Sequence, residues 1–304
     1  MRLLFISFLV SVSFISYAQV GPGNYRIYDV KQAREVTVED VVAAMKNYDV
    51  LFFGEEHDDS VAHYLENKFL ESMYQVFGNK TTLSLEMFER DVQPIMDEYL
   101  TSDIREKNFV KEARVWSNYD DYRPMVEFAK SKKLNVICAN AAGRYTNLVG
   151  RKGQAALMAL PDASKDFMAP LPYDTASGAY YDKLTELFMM EVSVDSATGK
   201  KTAAAMGGFN FIQSQSLWDA TMAYSIAKYY KKHKGNKVLQ VNGRFHSDER
   251  FAVVAQLKNY NPKIRTLVIS SGPDASFPNV DWSKFLQQGD YIIITDPNIP
   301  KSFD

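Results

Sequence analysis

Two short segments hold the residue types of a reactive site. Gly54-Glu-Glu-His-Asp-Asp59 gathers four carboxylates and an imidazole in six residues, and Gly243-Arg-Phe-His-Ser-Asp248 repeats its Gly-x-x-His spacing near the other end of the chain. Between them stands Glu86, followed by Glu89, Arg90 and Asp91. Two imidazoles and a carboxylate can hold a borderline divalent cation such as Zn, Mn or Co, because both donor types offer lone pairs without redox demands. His57, Glu86 and His246 are the expected ligands. Glu55, Asp58 and Asp248 are the carboxylates nearest in sequence that could take the other N–H of each imidazole. The plain structural alternative for residues 54–59 is an acidic helix start whose carboxylates complement the dipole. His63, further along, is expected to pack or to face solvent.

These residues converge only if the surrounding elements bring them together. Apolar or β-branched runs at 49–53, 81–86, 135–139, 237–241, 264–270 and 291–295 alternate with helical segments. That alternation predicts an α/β fold with a mainly parallel sheet flanked by helices. Ligands of open parallel sheets bind at the carboxyl ends of the strands, and the three segments above follow the first, second and fourth runs. A helix is expected over 60–77, where Val61, Tyr64, Leu65, Phe69, Met73, Val76 and Phe77 share one face and Asp59 or Ser60 serves as cap. Pro124 is placed at the first position of another helix, over 125–132. Between about 150 and 235 the strand signal fades and Met158, Met168, Met189, Met190, Met206 and Met222 accumulate, which predicts a helical insertion over the carboxyl edge. Such a stripe fills a core or lines a flat apolar ligand. Lys231-Lys-His-Lys-Gly235 reads as a solvated helix end.

Composition sets the outer bounds. The 304 residues are 46% hydrophobic and 24% charged, as expected of a folded chain, and 35 basic against 37 acidic residues give a net charge of −2. No whole-chain field exists to gather nucleic acid. At the N-terminus, Met1 and Arg2 precede an apolar stretch over 3–15 and the small-residue site Ser16-Tyr17-Ala18. This predicts a signal peptide over 1–18, a mature chain from Gln19, and a periplasmic or secreted location. The apolar stretch is shorter than the ~20 residues of a spanning helix. The single cysteine, Cys138, lies in an apolar run and reads as core, and no cysteine follows the cleavage site to be lipidated.

Six ordered segments make the chain resemble a known family. Leu51-Phe-Phe-Gly-Glu-Glu-His57, Leu85-Glu-Met-Phe-Glu-Arg90, Tyr119-Asp-Asp-Tyr-Arg-Pro124, Cys138-Ala-Asn-Ala-Ala142, Gln215-Ser-Leu-Trp-Asp-Ala-Thr-Met-Ala223 and Val241-Asn-Gly-Arg-Phe-His246 are similar to segments of ChaN-like haem-binding proteins, across nearly the whole mature chain. The resemblance implies a ChaN and erythromycin esterase-like fold, in a wider group with the TIKI and TraB proteins. It implies a haem binder of iron uptake with tyrosine-ligated ferric iron, a homodimer and an outer-membrane uptake partner. It also carries the Gly-x-x-His, Glu, Gly-x-x-His constellation onto His57, Glu86 and His246. Two departures stand out: many relatives are lipoproteins, and the segment after Asn140 reads Ala-Ala-Gly-Arg where the family more often has Pro before the Arg.

Two functions are therefore expected to compete. As a haem carrier, the chain would use Tyr119 or Tyr122 as iron ligand, with Arg123 and Arg144, or Arg151 and Lys152, pairing propionates, and the porphyrin in an apolar cleft under the Met-rich helices. As a TIKI-like metal-dependent peptidase, it would use Glu55 or Glu56 as general base on a metal-bound water, with Arg90 or Asn140 steadying the oxyanion. No Gly-x-Ser-x-Gly or His-Glu-x-x-His segment offers another hydrolase machinery. An exported structural protein, the third reading, leaves charged residues at three strand ends unexplained.

Overall fold

The computed structural model describes residues 20–189, 192–194, 198, 201–203 and 208–303. The expected signal peptide, its cleavage site before Gln19, and Met190 and Met206 lie outside these residues. The strands are β1 (Tyr25–Asp29), β2 (Arg34–Val36), β3 (Val50–Glu55), β4 (Thr81–Glu89), β5 (Asn135–Asn140), β6 (Val192–Val194), β7 (Lys201–Ala203), β8 (Lys237–Gly243), β9 (Thr266–Pro273) and β10 (Tyr291–Thr295). The helices are α1 (Val38–Ala44), α2 (Ser60–Phe77), α3 (Gln93–Leu100), α4 (Glu106–Glu112), α5 (Tyr119–Lys132), α6 (Gly143–Lys152), α7 (Gln154–Met158), α8 (Asp162–Lys165), α9 (Gly178–Leu187), α10 (Phe211–Lys232) and α11 (Ala252–Tyr260).

Eight strands form one sheet in the order β2-β1-β10-β9-β3-β8-β4-β5. The six expected runs are its parallel part, while β1 and β2 extend one edge antiparallel. These two were not foreseen, because short strands carrying Arg, Glu and Asp lack an apolar run. The parallel strands are buried on both faces, so successive residues feed two separate cores. Leu51, Phe53, Leu83, Leu85, Leu239 and Val241 pack under α1, α2, α3, α4 and α5. Val50, Phe52, Ile137 and Val238 pack under α10 and α11 through Met222, Ala223, Ile226, Val253 and Leu257.

Helix α2 has the expected span, capped by the Asp59 carboxylate on the amides of Val61 and Ala62. Helix α5 begins at Tyr119, a turn earlier than expected, which leaves Pro124 inside it. Its buried stripe of Tyr119, Tyr122, Met125, Val126 and Ala129 explains this extension, since packing outweighs the one hydrogen bond proline removes. Between residues 150 and 235 the chain is not purely helical, since β6 and β7 pair as a short antiparallel hairpin. Helix α10 covers a sheet face, so Met168 and Met222 are core, while Met158 and Met189 are exposed.

Candidate functional site

Strand periodicity delivers the site. Continuing past Leu51 and Phe53, Glu55 falls on the same face of β3 and enters the core beneath α2 and α5. Glu86 continues the opposite face of β4, toward α10. Strands β3 and β8 pair as far as Gly54 with Asn242 and Glu55 with Gly243, which sets the two Gly-x-x-His segments side by side. The two segments also pack reciprocally. A Cβ on Gly54 would meet Ser247 Oγ and the Arg244 backbone, and one on Gly243 would meet the His57 ring.

Each imidazole is held at Nδ1 by a carboxylate. His57 Nδ1 lies 2.8 Å from Glu55 Oε1, which also accepts the Tyr122 hydroxyl at 2.8 Å. His246 Nδ1 lies 2.6 Å from Asp219 Oδ1, and the other oxygen of Asp219 accepts the Tyr180 hydroxyl at 2.7 Å. Glu86 sits between: Oε2 accepts the Gly243 amide at 2.8 Å, and Oε1 is 3.4 Å from His246 Nε2. The expected partner of His57, Glu55, is in place, but that of His246 is Asp219. Asp248 instead takes Arg244 at 3.0 Å, and Asp58 takes Lys301 at 2.5 Å.

The electrostatics follow from this packing. Burial pushes the His246 imidazole down, but Glu86 and Asp219 outweigh it and hold the group charged up to about 9. His57 is likewise depressed by burial and raised by its bond to Glu55, with a net rise. Burial raises the Asp219 carboxyl above the usual range. Deeper in the core, His63 Nδ1 lies 3.1 Å from Glu55 Oε2 and 3.3 Å from Glu66 Oε2. Burial opposes its charge, yet Glu66 and Glu55 hold it up to about 11. Burial and the Glu55 charge push Glu66 well up; Glu55, although buried, is pulled down by Glu66, His57 and His63.

A cleft of about 360 Å³ opens onto this array, lined by Glu55, Glu56, His57, Gly243, Arg244, Phe245, His246 and Asp248 and, from the insertion, Lys183, Leu187 and Gln215. Glu56, half-exposed, faces Arg244 at 3.4 Å. His57, Glu86 and His246 thus border one region, with the Gly243 backbone lying against both His57 and Glu86. Among the described residues, the group whose ligand atoms all lie within 4.8 Å of one another is Glu55, His63 and Glu66.

Other expected residues lie elsewhere. Tyr119 and Tyr122 are in the core under α5, 6% and 0% exposed, and burial pushes both phenols far above their usual range. Neither faces the cleft, because the helix turns this pair inward with Met125 and Val126. Arg123, on the outer face of α5, is bidentate to Glu106. Arg144 pairs with Asp91 at 2.5 Å and Arg114 with Glu89 and Asp91, forming a surface network. Arg90 bonds Ser225 Oγ and the Asp166 carbonyl in a different cavity beside β5, so it cannot steady an oxyanion at His57. Asn140 bends back onto the Ala141 amide. Sequence reasoning missed Asp219, Glu66 and Tyr180; His63 packs in the core, one of its two expected places, but its carboxylate partners were not foreseen. A signal existed for the first: Asp219 shares the helical face of Met222, Ala223 and Ile226, a carboxylate on a sheet-facing stripe.

Residues 41–257 match the family model described as "Haem-binding uptake, Tiki superfamily, ChaN". Among solved structures, the chain is similar to ChaN of Campylobacter jejuni, described with cofacial heme binding, at 15% identity and TM-score 0.65 over 90% of this chain and 98% of that one. It also aligns with the type III effector HopBA1 at 12% identity and TM-score 0.45, covering 86% of this chain and 94% of that one. No curated protein sequence matches.

Proposed function

Because the chain belongs to the haem-binding uptake family of the Tiki superfamily, ChaN, we propose that it binds haem at the mouth of the His57 cleft, as an exported protein. One observation carries the placement. Leu187, in the cleft wall at the end of α9, Met189 just beyond it and Val194 on β6 are 53%, 88% and 60% exposed, large apolar side chains close in sequence. Uncovered apolar patches mark ligand or partner surfaces. A porphyrin face resting there would have Lys183 and Arg244 within the adjoining cleft for its propionates. Bound haem supplies a ferric centre, and the chain supplies an apolar rest and cations.

Tyr119 and Tyr122 do not belong to this reading, because their hydroxyls lie in the core. The Campylobacter jejuni protein is described with cofacial heme binding. Two haems stacked between the apolar surfaces of two chains would lie face to face, and the haem-loaded state is then a homodimer. Titrating the purified chain with haemin tests the reading, since a saturable Soret band is expected. Mass spectrometry of the exported chain tests the compartment, since the N-terminus is expected at Gln19.

A second reading rests on the paired imidazole–carboxylate bonds, which leave Nε2 of His57 and His246 as the available donors beside Glu86. These three would hold a divalent cation, and Glu56 is the partly exposed carboxylate of the cleft. Peptide turnover that requires added Mn, Co or Zn is the test.

A further inference from the structure

We propose that Glu55, His63 and Glu66 form a second, buried cation site, of the zinc class, behind the cleft and sharing Glu55 with it. His63 Nε2 lies 3.1 Å from the carbonyl oxygen of His57, which can only accept, so this nitrogen carries the hydrogen. Nδ1 faces Glu55 Oε2 at 3.1 Å and Glu66 Oε2 at 3.3 Å, a position filled either by a proton that the two carboxylates hold on the ring or by a cation in its place. Three lone-pair atoms so close repel one another unless a positive charge lies among them. Ligands at 2.0–2.2 Å from a tetrahedral ion stand about 3.3–3.6 Å apart, close to the two separations from Nδ1, and all three ligand atoms lie within 4.8 Å of one another.

A second observation points the same way. Glu66 Oε1 is buried and has no hydrogen-bond partner, and Glu55 Oε2 has only the His63 Nδ1 contact, although the two residues are 0% and 1% exposed. Buried carboxylate oxygens without donors are costly unless a proton or a metal supplies the missing charge. The surroundings also suit a structural ion. Glu55 Oε1 is fixed by Tyr122 and His57, while α2 supplies His63 and Glu66 one turn apart on its inner face. An ion here would tie β3 to α2 and fix the carboxylate that orients His57.

The whole mature chain should be stripped with a chelator, dialysed against zinc, and assayed for retained metal. A single tightly held ion is expected that Glu66→Gln and His63→Gln lose and that His246→Gln keeps. Loss in His246→Gln with retention in the other two would instead place the ion in the cleft and overturn the proposal. The isosteric Glu66→Gln guards against misfolding, checked by its circular dichroism. Nitrogen-15 spectra of the His63 ring give a readout independent of stoichiometry. A metal-bound Nδ1 supports the site, whereas an imidazolium unchanged by added zinc means that protons fill it and the proposal fails.

Discussion

The Nε2 atom of His57 stands 2.7 Å from the point where a Cβ on Gly243 would sit. The contact is half of an exchange, since Gly54 meets Arg244 and Ser247 of the opposite segment just as closely. Each glycine therefore exists for the other segment's backbone or imidazole, which explains why Gly precedes His by three residues twice.

The two glycines should respond differently to alanine. At Gly54 the obstacle is the Arg244 Cα, 2.8 Å away, which cannot yield without moving β8. Gly54→Ala is expected to cost about 1–3 kcal/mol in urea unfolding, the usual cost of overpacking. At Gly243 the obstacle is a partly exposed ring that can swing out. Gly243→Ala should keep most of its stability but shift the His57 ring resonances.

Stability should fall on the alkaline side through His246. Its folded pKa, about 9, lies above the ordinary 6.5, so its contribution is complete below 6.5 and is lost as pH rises through about 9. The loss is up to ~3 kcal/mol, from the size of the shift. Urea midpoints measured from pH 6 to pH 10 should show this decline, and Asp219→Asn should flatten it.

The buried tyrosines separate packing from polarity. The Tyr119 hydroxyl is buried without a hydrogen-bond partner, so Tyr119→Phe should change stability by less than about 1 kcal/mol. The Tyr122 hydroxyl donates to the Glu55 carboxylate, and Tyr122→Phe should cost about 1.5–3 kcal/mol, the range for a bond to a charged group. Denaturant titration of both variants makes the comparison, and equal costs would contradict it.

What the sequence revealed and what it hid have separate physical causes. The parallel strands and α2 were legible because buried β-branched runs and a 3.6-residue apolar stripe are local patterns. The placement of His57, Glu86 and His246 at neighbouring strand ends was legible, but their ligand atoms are not among those that lie within 4.8 Å of one another. Tyr119 and Tyr122 misled because a Tyr-x-x-Tyr spacing shows one helix face without telling whether that face looks inward. Asp219 and Glu66 stayed hidden because each is a lone carboxylate on an otherwise apolar stripe, and its histidine partner comes from another element or an adjacent turn. Arg90 follows β4 directly, yet a local irregularity in the pairing of β4 with β5 between Leu85 and Glu89 accompanies its turn toward the cavity beside β5.

Haemin titration of variants that keep the fold tests the central claim most directly. Leu187→Asp combined with Met189→Asp removes the two exposed apolar side chains nearest the cleft wall in sequence without touching a buried residue. Losing one well-covered apolar side chain is worth about 1.5–3 kcal/mol, so haemin affinity should drop by at least roughly tenfold. The Tyr119→Phe, Tyr122→Phe double variant should bind as the parent does. If instead the aspartate variant keeps full affinity and the double phenylalanine variant loses the Soret band, haem does not rest on this surface, and the account is contradicted.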